Sequence, residues 1–219
     1  MADFPVTEHT RVRRLAARGR YDRETIYRIL DEALVCHAGF VQDGQPAVIP
    51  TLFARVANEV ILHGAPASRL LRHVAAGHPV CITVTLVDGL VLARSAFHHS
   101  INYQSVVLFG RGRLIEAETE KLRALEALTE HILPGRWGDA RRPTPRELEA
   151  TSVVAVSIDG ASAKVRTGPP VDDDEDYALP VWAGVLPLRQ QALQPVPDPR
   201  LADGTALPDY LARYVAGER

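Results

Sequence analysis

Short apolar runs separated by polar turn residues recur along the whole chain. Three Asp-Gly pairs, at positions 43–44, 88–89 and 159–160, each stand between two runs rich in β-forming residues. Glycine readily adopts the positive φ angle that tight hairpin turns require, so each pair predicts a turn between antiparallel neighbours. A fourth hairpin is predicted across Ala57-Asn58. Glycines interrupt a further strand over residues 105–114, which predicts a bulge or a bend at a barrel corner.

Helical periodicity breaks this β pattern at four places. The predicted helices are one over residues 26–34 opened by Asp22, one over 122–132 ended by Pro134-Gly135, a short one with a capping box at Thr144, and one between His63 and Pro79. Strands outnumber helices, and their connections are too short for alternating strand–helix units. The sequence therefore predicts a mainly β fold with peripheral helices, an antiparallel β-barrel.

Three stretches of different character divide the chain. Residues 1–20 carry a cluster of arginines and are expected to form a basic arm that packs across the barrel or a partner subunit. Residues 21–188 hold the barrel pattern, and residues 189–219 form a proline-rich C-terminal arm that ends in an amphipathic segment. Within the barrel region, the acidic run 172–176 predicts a solvated loop, and an apolar strand follows over 182–188.

Composition and charge narrow the classes of function. The chain has 219 residues and a formal net charge of −2, so no basic surface for nucleic acid or anionic lipid is expected. No apolar run approaches the roughly 20 residues of a membrane span, and the N-terminus lacks the apolar core of a secretory signal. Cys36 and Cys81 do not make a disulfide framework, and a reducing cytoplasm is the expected compartment.

Residues 61–70 hold the strongest candidate for chemistry. They lead from a strand into a helix start at which Ser68 and Arg69 stand together, and a hydroxyl, a guanidinium and free amides can form a phosphate cradle. The alternative is an ordinary helix start with one exposed arginine. The adjacent His98 and His99 would point to opposite faces of a strand, and no other ligands stand at zinc spacing, so no metal site is predicted.

Several stretches, in this order, resemble the pyridoxamine 5′-phosphate oxidase-like split-barrel family, particularly its branch related to nitroimidazole-resistance proteins. The stretches are residues 26–40, 45–51, 62–70, 80–85, 100–107 and 182–188. The resemblance implies an antiparallel split β-barrel over residues 21–188 and a homodimer that binds FMN where the two subunits meet. The residues that bind substrate in pyridoxamine-phosphate oxidases are not evident, so oxidation of vitamin B6 is not expected.

The resemblance also implies roles for individual residues. Ser68 and Arg69 would hold the flavin phosphate, and the strand Val48, Ile49, Pro50 and Thr51 would run beside the isoalloxazine edge. Trp182 would approach the flavin from the late strand of either subunit, or would be a core aromatic. Further contacts to the flavin or its phosphate are implied at His63, Ser95, His98, Asn102, Tyr103 and Ser105. His63 and His98 are also candidates for proton transfer, because imidazole titrates near neutral pH.

Three functional hypotheses follow. The first is an FMN-dependent oxidoreductase that passes electrons from a reduced donor to a small-molecule acceptor. The second is a non-catalytic flavin carrier or sensor, which needs the same binding residues. The third keeps the barrel but changes the ligand to a deazaflavin or to haem, for which His98 or His99 would be the axial ligand.

Overall fold

Ten strands form one sheet in the computed structural model, which describes residues 2–217. The strands are β1 (Gly19–Arg20), β2 (Val35–Gln42), β3 (Gln45–Leu52), β4 (Ala54–Val56), β5 (Glu59–Gly64), β6 (Pro79–Leu92), β7 (Ser100–Leu114), β8 (Ser152–Ser157), β9 (Gly160–Arg166) and β10 (Gly184–Pro187). Every pairing between them is antiparallel. The β10 strand confirms the apolar strand predicted over residues 182–188.

The sheet curls into a barrel that is not closed. Its main path runs β3-β2-β6-β7-β8-β5-β4, while β9 lies beside β7 and β1, and β10 lies beside β6. The strands at the two ends of this path, β3 and β4, pair with β2 and β5 alone, so both ends of the path are free edges. The predicted mainly β, split-barrel architecture with peripheral helices is confirmed. On the β3 edge, Pro46 and Pro50 occupy alternate positions, which suits an edge strand because proline cannot donate to a ladder.

A bend in β7 splits the sheet at the predicted corner. The strand pairs with β9 as far as Phe109 and with β8 from Gly112 onward. A Cβ atom on Gly110 would overlap the carbonyl oxygen of Ser157, and one on Gly112 would overlap the side chain of Val74. The glycines are therefore required by the close approach of neighbouring chain. The strand itself begins at residue 100, five residues earlier than predicted.

Two of the four predicted hairpins form as expected. Asp43 and Gly44 adopt φ angles of 51° and 75° between β2 and β3, and Ala57 adopts 52° between β4 and β5. The other two predictions are wrong. Asp88-Gly89 is a bulge inside the continuous strand β6, where Gly89 leaves room for the backbone of β10. Asp159-Gly160 joins β8 to β9, which do not pair with each other because both flank the bent strand β7.

Within the described part of the chain, six α-helices surround the barrel: α1 (Arg23–Glu32), α2 (Arg69–Ala75), α3 (Glu118–Ile132), α4 (Arg136–Asp139), α5 (Pro145–Glu149) and α6 (Asp209–Ala216). The four predicted helices are confirmed as α1, α2, α3 and α5. The Asp22 side chain accepts a hydrogen bond from the Thr25 amide at 2.8 Å, and Thr144 forms its capping box with Glu147. Short 3-10 turns lie at Ala16–Arg18, Ala96–His98 and Asp174–Ala178.

The main core fills the barrel between the sheet, α1 and α2. Among its fully buried side chains are Ile29, Phe53, Ile82 and Leu108. Phe4 joins this core, and its amide donates to the Tyr21 carbonyl at 2.9 Å, so the start of the basic arm packs on the barrel. A smaller cluster lies under α3, between β5 and β8. Across residues 2–217, no helix is both long enough and apolar enough to cross a membrane.

Candidate functional site

A cleft of about 920 Å³ lies between the β2–β3 hairpin and α2. This cleft has apolar walls from four strands and a basic floor from the helix. Apolar side chains of Phe40, Val41, Val48, Val80 and Phe109 line it, together with the polar side chains of Arg69, Arg72, His73, His78 and Cys81. Its volume lies within the range of small-molecule and cofactor sites, and its two arginines could contact negative groups of a ligand.

Arg69 lies exposed at the first position of α2, in the lining of the cleft. Its side chain makes no hydrogen bond or ion pair within residues 2–217, whereas Arg72 donates to the Ala67 carbonyl at 3.0 Å. Ser68 is the N-cap of α2, and its hydroxyl accepts a hydrogen bond from the Leu71 amide at 3.5 Å. It therefore lies one residue before the first helical turn, whereas the sequence analysis predicted it within that turn. Because α2 has only seven residues, a phosphate at this position depends on the guanidinium of Arg69.

His73 is fixed in the cleft by a backbone contact. Its Nε2 atom lies 3.0 Å from the carbonyl oxygen of Pro79. A carbonyl can only accept, so Nε2 donates and the neutral ring carries its free lone pair on Nδ1. The ring centroids of Phe40 and His78 lie 4.9 Å and 5.0 Å away. Because one nitrogen of His73 is held by a carbonyl, as the second nitrogen of a metal-ligating histidine commonly is, the other nitrogen could serve as a ligand.

A second cavity, here called the small pocket, measures about 340 Å³ and lies beside the end of β3. Helices α3, α4 and α5 cover it, and His63 of β5 contributes to its lining. The Nδ1 atom of His63 is buried and has no hydrogen-bond partner within the described chain. Burial lowers the pKa of His63, because the charged imidazolium is poorly solvated there.

The β3 residues of the predicted site run between the two cavities. Val48 lines the cleft, and Leu52, next to Thr51, lines the small pocket. Four residues of strand span roughly 13 Å, so this stretch connects the cleft to the small pocket. Along this stretch Ile49 and Thr51 are half-buried, while Pro50 is exposed. The structure therefore brings Val48, Thr51, His63 and Arg69 to one side of the barrel.

The remaining predicted residues lie elsewhere and line neither cavity. Within one subunit they are not gathered around Arg69. The Ser95 hydroxyl accepts a hydrogen bond from the Phe97 amide, and His98 lies 3.2 Å from Asp173. Asn102 is buried against Arg166 and donates to the Gly168 carbonyl, while the Ser105 hydroxyl donates to the Lys164 carbonyl. Tyr103 is half-buried in β7, and Trp182 is 69% exposed. His99 also lies outside both cavities, with Nδ1 2.9 Å from the Ser95 carbonyl.

The acidic run holds a correction. Asp172, predicted to lie in a solvated loop, has a fully buried side chain that accepts from the amides of Arg94 and Ser95 at 2.9 and 3.2 Å and pairs with the Arg94 guanidinium. Burial acts to raise the pKa of Asp172, but the hydrogen bonds from Ser95 and Arg94 outweigh it, so its pKa lies below the ordinary value. These contacts of Asp172 hold residues 94–95 against the acidic run. They also bring His98 near Asp173 and Asp176, an open cluster that sequence spacing could not reveal.

Both cysteines are free thiols. Cys36 is buried, and burial raises the pKa of its thiol to about 12, as expected for an inert core residue. Cys81 lines the cleft, and partial burial raises its pKa as well.

The open antiparallel barrel, with a cofactor-sized cleft beside its edge strand, defines a split-barrel protein. Residues 22–165 match the family described as pyridoxamine 5′-phosphate oxidase. The chain belongs to this family, which confirms the resemblance read from the sequence. A search of curated proteins finds no match.

Three solved structures are similar to this chain. Flavocytochrome Anf3 from Azotobacter vinelandii is 43% identical, with 94% of this chain and 96% of that chain covered and a TM-score of 0.89. The FAD and haem binding protein from Mycobacterium smegmatis is 40% identical, with 89% and 96% covered and a TM-score of 0.85. A Bacteroides thetaiotaomicron protein named for 5-nitroimidazole antibiotic resistance is 25% identical, with 67% and 86% covered and a TM-score of 0.56.

Two residues of the site were missed by the sequence analysis. Arg72 and His73 follow Arg69 at spacings of three and four, so they lie on the same face of α2. Helical spacing from the predicted phosphate ligand was the signal that could have found them.

Proposed function

We propose that this protein binds a flavin nucleotide through its FMN moiety and acts as a redox protein. The observation that carries the proposal is the guanidinium of Arg69, which has no partner among residues 2–217 and lies in the lining of the cleft, beside an edge strand of the family's split barrel. The 40% identical relative from Mycobacterium smegmatis, which binds FAD and haem, supports a flavin. FMN and FAD share the ring and the inner phosphate, so the same residues would hold either.

Each predicted residue on this side of the barrel has a distinct part in holding the cofactor. Arg69 supplies a charge-assisted hydrogen bond to the phosphate, and Ser68 keeps the start of α2 in place. At the free edge of β3, Val48 offers an amide and a carbonyl and Pro50 a carbonyl, whereas the backbone groups of Ile49 and Thr51 face β2, so only their side chains could meet the cofactor. The bound flavin would supply hydride and single-electron exchange, while the protein sets its position and its access to solvent.

A spectroscopic titration tests the proposal. The apoprotein is mixed with FMN and with FAD, and a nicotinamide donor and then dithionite are added to the complex. Bound flavin bands that bleach with a donor and recover with an acceptor are expected for an oxidoreductase. Bands that no donor or acceptor changes would assign the protein as a flavin carrier or sensor. Absence of binding by either nucleotide, or preference for a deazaflavin, contradicts the proposal.

Haem binding in the cleft is a second function, favoured by the arrangement of His73. The apolar side chains of the cleft would contact a porphyrin, and Arg72 would pair with a propionate. His73 donates its Nε2–H to a backbone carbonyl, so its Nδ1 would be the nitrogen that holds the iron. Two relatives that are 40% and 43% identical, a FAD and haem binding protein and a flavocytochrome, support this assignment. It replaces His98 and His99 as candidate ligands, because neither lines the cleft.

Replacing His73 with alanine is expected to abolish the shifted Soret band that forms when hemin is added to the apoprotein. The reason is the loss of the axial nitrogen, and absorbance titration with hemin is the measurement. His99→Ala is the matched control, since it removes an exposed histidine far from the cleft lining. An unchanged Soret band in His73→Ala would place the haem ligand elsewhere.

The proposal includes three further points. The protein forms a homodimer, it acts in the cytoplasm, and its substrate is a small molecule. Apolar side chains outside the cleft support a subunit contact, since the cross-strand neighbours Leu186, Leu90 and Ile101 are 51%, 37% and 39% exposed. A partner subunit would bring the distant group around Asn102 toward a flavin. The molar mass from light scattering decides between monomer and dimer. Two unpaired cysteines suit a reducing compartment.

A further inference from the structure

The basic arm carries a dense block of positive charge at the surface. Residues 9–20 hold five of the 25 lysines and arginines and no acidic residue, although the formal net charge of the whole chain is −2. The five are Arg11, Arg13, Arg14, Arg18 and Arg20, of which Arg18 is half-buried and the others are exposed. Net positive charge is therefore concentrated on this segment, and the rest of the chain is net negative.

The protein itself uses few of these charges. Arg13 pairs with Glu8 at 3.0 Å, and Arg20 donates to two nearby backbone carbonyls at 2.9 and 2.7 Å. Arg11 and Arg14 make no hydrogen bond or ion pair with any of residues 2–217. These two guanidinium groups are thus open to a partner.

The end of the basic arm places like charges side by side. Arg18 lies near the guanidinium of Arg166, which donates to the Asn102 side chain and to the carbonyls of Gly168 and Pro169. Within the described chain these acceptors are neutral, and no carboxylate pairs with Arg166. Burial and the charge of Arg18 lower the pKa of Arg166. A negative group brought to Arg18 from outside would reduce this repulsion.

The arginines start beside the cleft and continue along β9. The ring of His9 has its centroid 6.1 Å from that of Phe109, which lines the cleft. The next residue, Thr10, packs closely on Gly160, the register partner of Phe109. At the other end of the arginine block, β1 pairs with β9. A partner that binds the basic arm would therefore lie next to the wall of the cleft.

We infer that the basic arm is the docking surface for a small acidic electron-transfer protein. Complementary charge steers the encounter of such partners, and their transient interfaces are small. That the partner is an electron donor rests on the proposed function, which places a flavin in the cleft. Each encounter would oxidise the partner's centre by one electron. Two encounters supply the two electrons, and the solvent the two protons, that full reduction of a flavin requires.

The charge of the remaining chain favours a compact partner. An extended polyanion, such as nucleic acid or an anionic membrane, would meet the net negative surface around the basic arm as well as the arginines. A small protein can contact the arginines alone. The inference therefore commits to a protein, and the polyanions become outcomes of the test.

A plant-type iron–sulfur ferredoxin is the acidic probe, and cytochrome c, a basic protein of similar size, is its control. Calorimetric titration at low ionic strength should detect binding of the ferredoxin and none of cytochrome c. Raising the salt concentration to about 0.5 M should weaken ferredoxin binding by about tenfold or more, because exposed charges are then screened. No binding of the ferredoxin at low ionic strength would overturn the inference.

Two double variants with the same change of net charge locate the docking surface. Arg11→Glu with Arg14→Glu should weaken ferredoxin binding about 10-fold, because each reversal turns attraction into repulsion. The control, Arg123→Glu with Arg146→Glu, changes two exposed arginines of α3 and α5 that line neither the cleft nor the basic arm, and should stay within about twofold of wild type. Equal losses in the two variants would show that net charge alone matters and would overturn the inference.

The remaining outcomes separate the partner from the polyanions and from the flavin. Tighter binding to single-stranded DNA or to vesicles of anionic phospholipid than to the ferredoxin would overturn the inference. In the flavin-loaded protein, reduced ferredoxin should bleach the flavin bands about 10-fold more slowly in the basic-arm variant than in the control. Ferredoxin binding by a chain that takes up no flavin would overturn the proposed function and leave the docking surface standing. Flavin binding without docking would overturn this inference alone.

Discussion

Flavin affinity is expected to fall roughly 10- to 100-fold when Arg69 is replaced by alanine. The change removes a charge-assisted hydrogen bond to phosphate worth about 1.5–3 kcal/mol, and each 1.4 kcal/mol is about tenfold in Kd. The guanidinium forms no hydrogen bond or ion pair within residues 2–217, so its loss should cost little stability. Fluorescence titration with FMN measures the affinity, and thermal melting of the apoprotein checks that the fold persists.

Two further variants sharpen this test. Arg146→Ala removes an exposed arginine of α5 that does not line the cleft, and should leave the affinity unchanged. Arg69→Lys keeps the charge but loses bidentate geometry, so it should fall between wild type and alanine. Equal affinities in wild type and Arg69→Ala would show that the phosphate is held elsewhere.

The second large effect is expected at the β7 bend. Gly110→Ala should destabilise the protein by about 3 kcal/mol, because the added methyl group overlaps the backbone carbonyl of Ser157. A flexible side chain could move out of the way of the methyl group, but the backbone of a paired strand cannot. For a chain of this length, that corresponds to a Tm lowered by roughly 6–12 °C. Differential scanning calorimetry measures the shift.

Gly138→Ala is the matched control for this substitution. Gly138 lies in α4, and apart from its chain neighbours and its own helix backbone none of residues 2–217 places an atom within 4 Å of the position its Cβ would take. The control should melt at or slightly above the wild-type temperature, because alanine favours helix over glycine. If Gly110→Ala melted with the control, β7 would tolerate a side chain at its corner, and the bend would have another cause.

Local sequence patterns predicted most of the elements but not all of their connections. Helix starts such as Asp22 and Thr144 were readable because capping depends on residues only three positions apart. The failure at Asp88-Gly89 has a different origin. Its glycine accommodates β10, a strand about a hundred residues later, so no short-range signal distinguishes this bulge from a hairpin turn.

The candidate site divides in the same manner. Val48 and Arg69 were predicted, since both belong to stretches that the family resemblance covers. The small pocket was not, because it joins His63 to Trp137 and Arg141, which follow more than seventy positions later and meet only in the folded chain. Asp172 was misplaced for a related reason: an acidic run looks solvated unless the amides that bind one member are known.

The prolines of β3 have a consequence for how two copies can meet. Pro46, Val48 and Pro50 alternate along the strand, so their backbone nitrogens point in the same direction. Since proline cannot donate to the ladder, that direction is away from β2 and toward the free edge. The edge thus offers a single amide where a continuous strand would offer three. A second subunit therefore cannot extend the sheet by pairing one of its strands with β3, and must associate through side chains of the outer face.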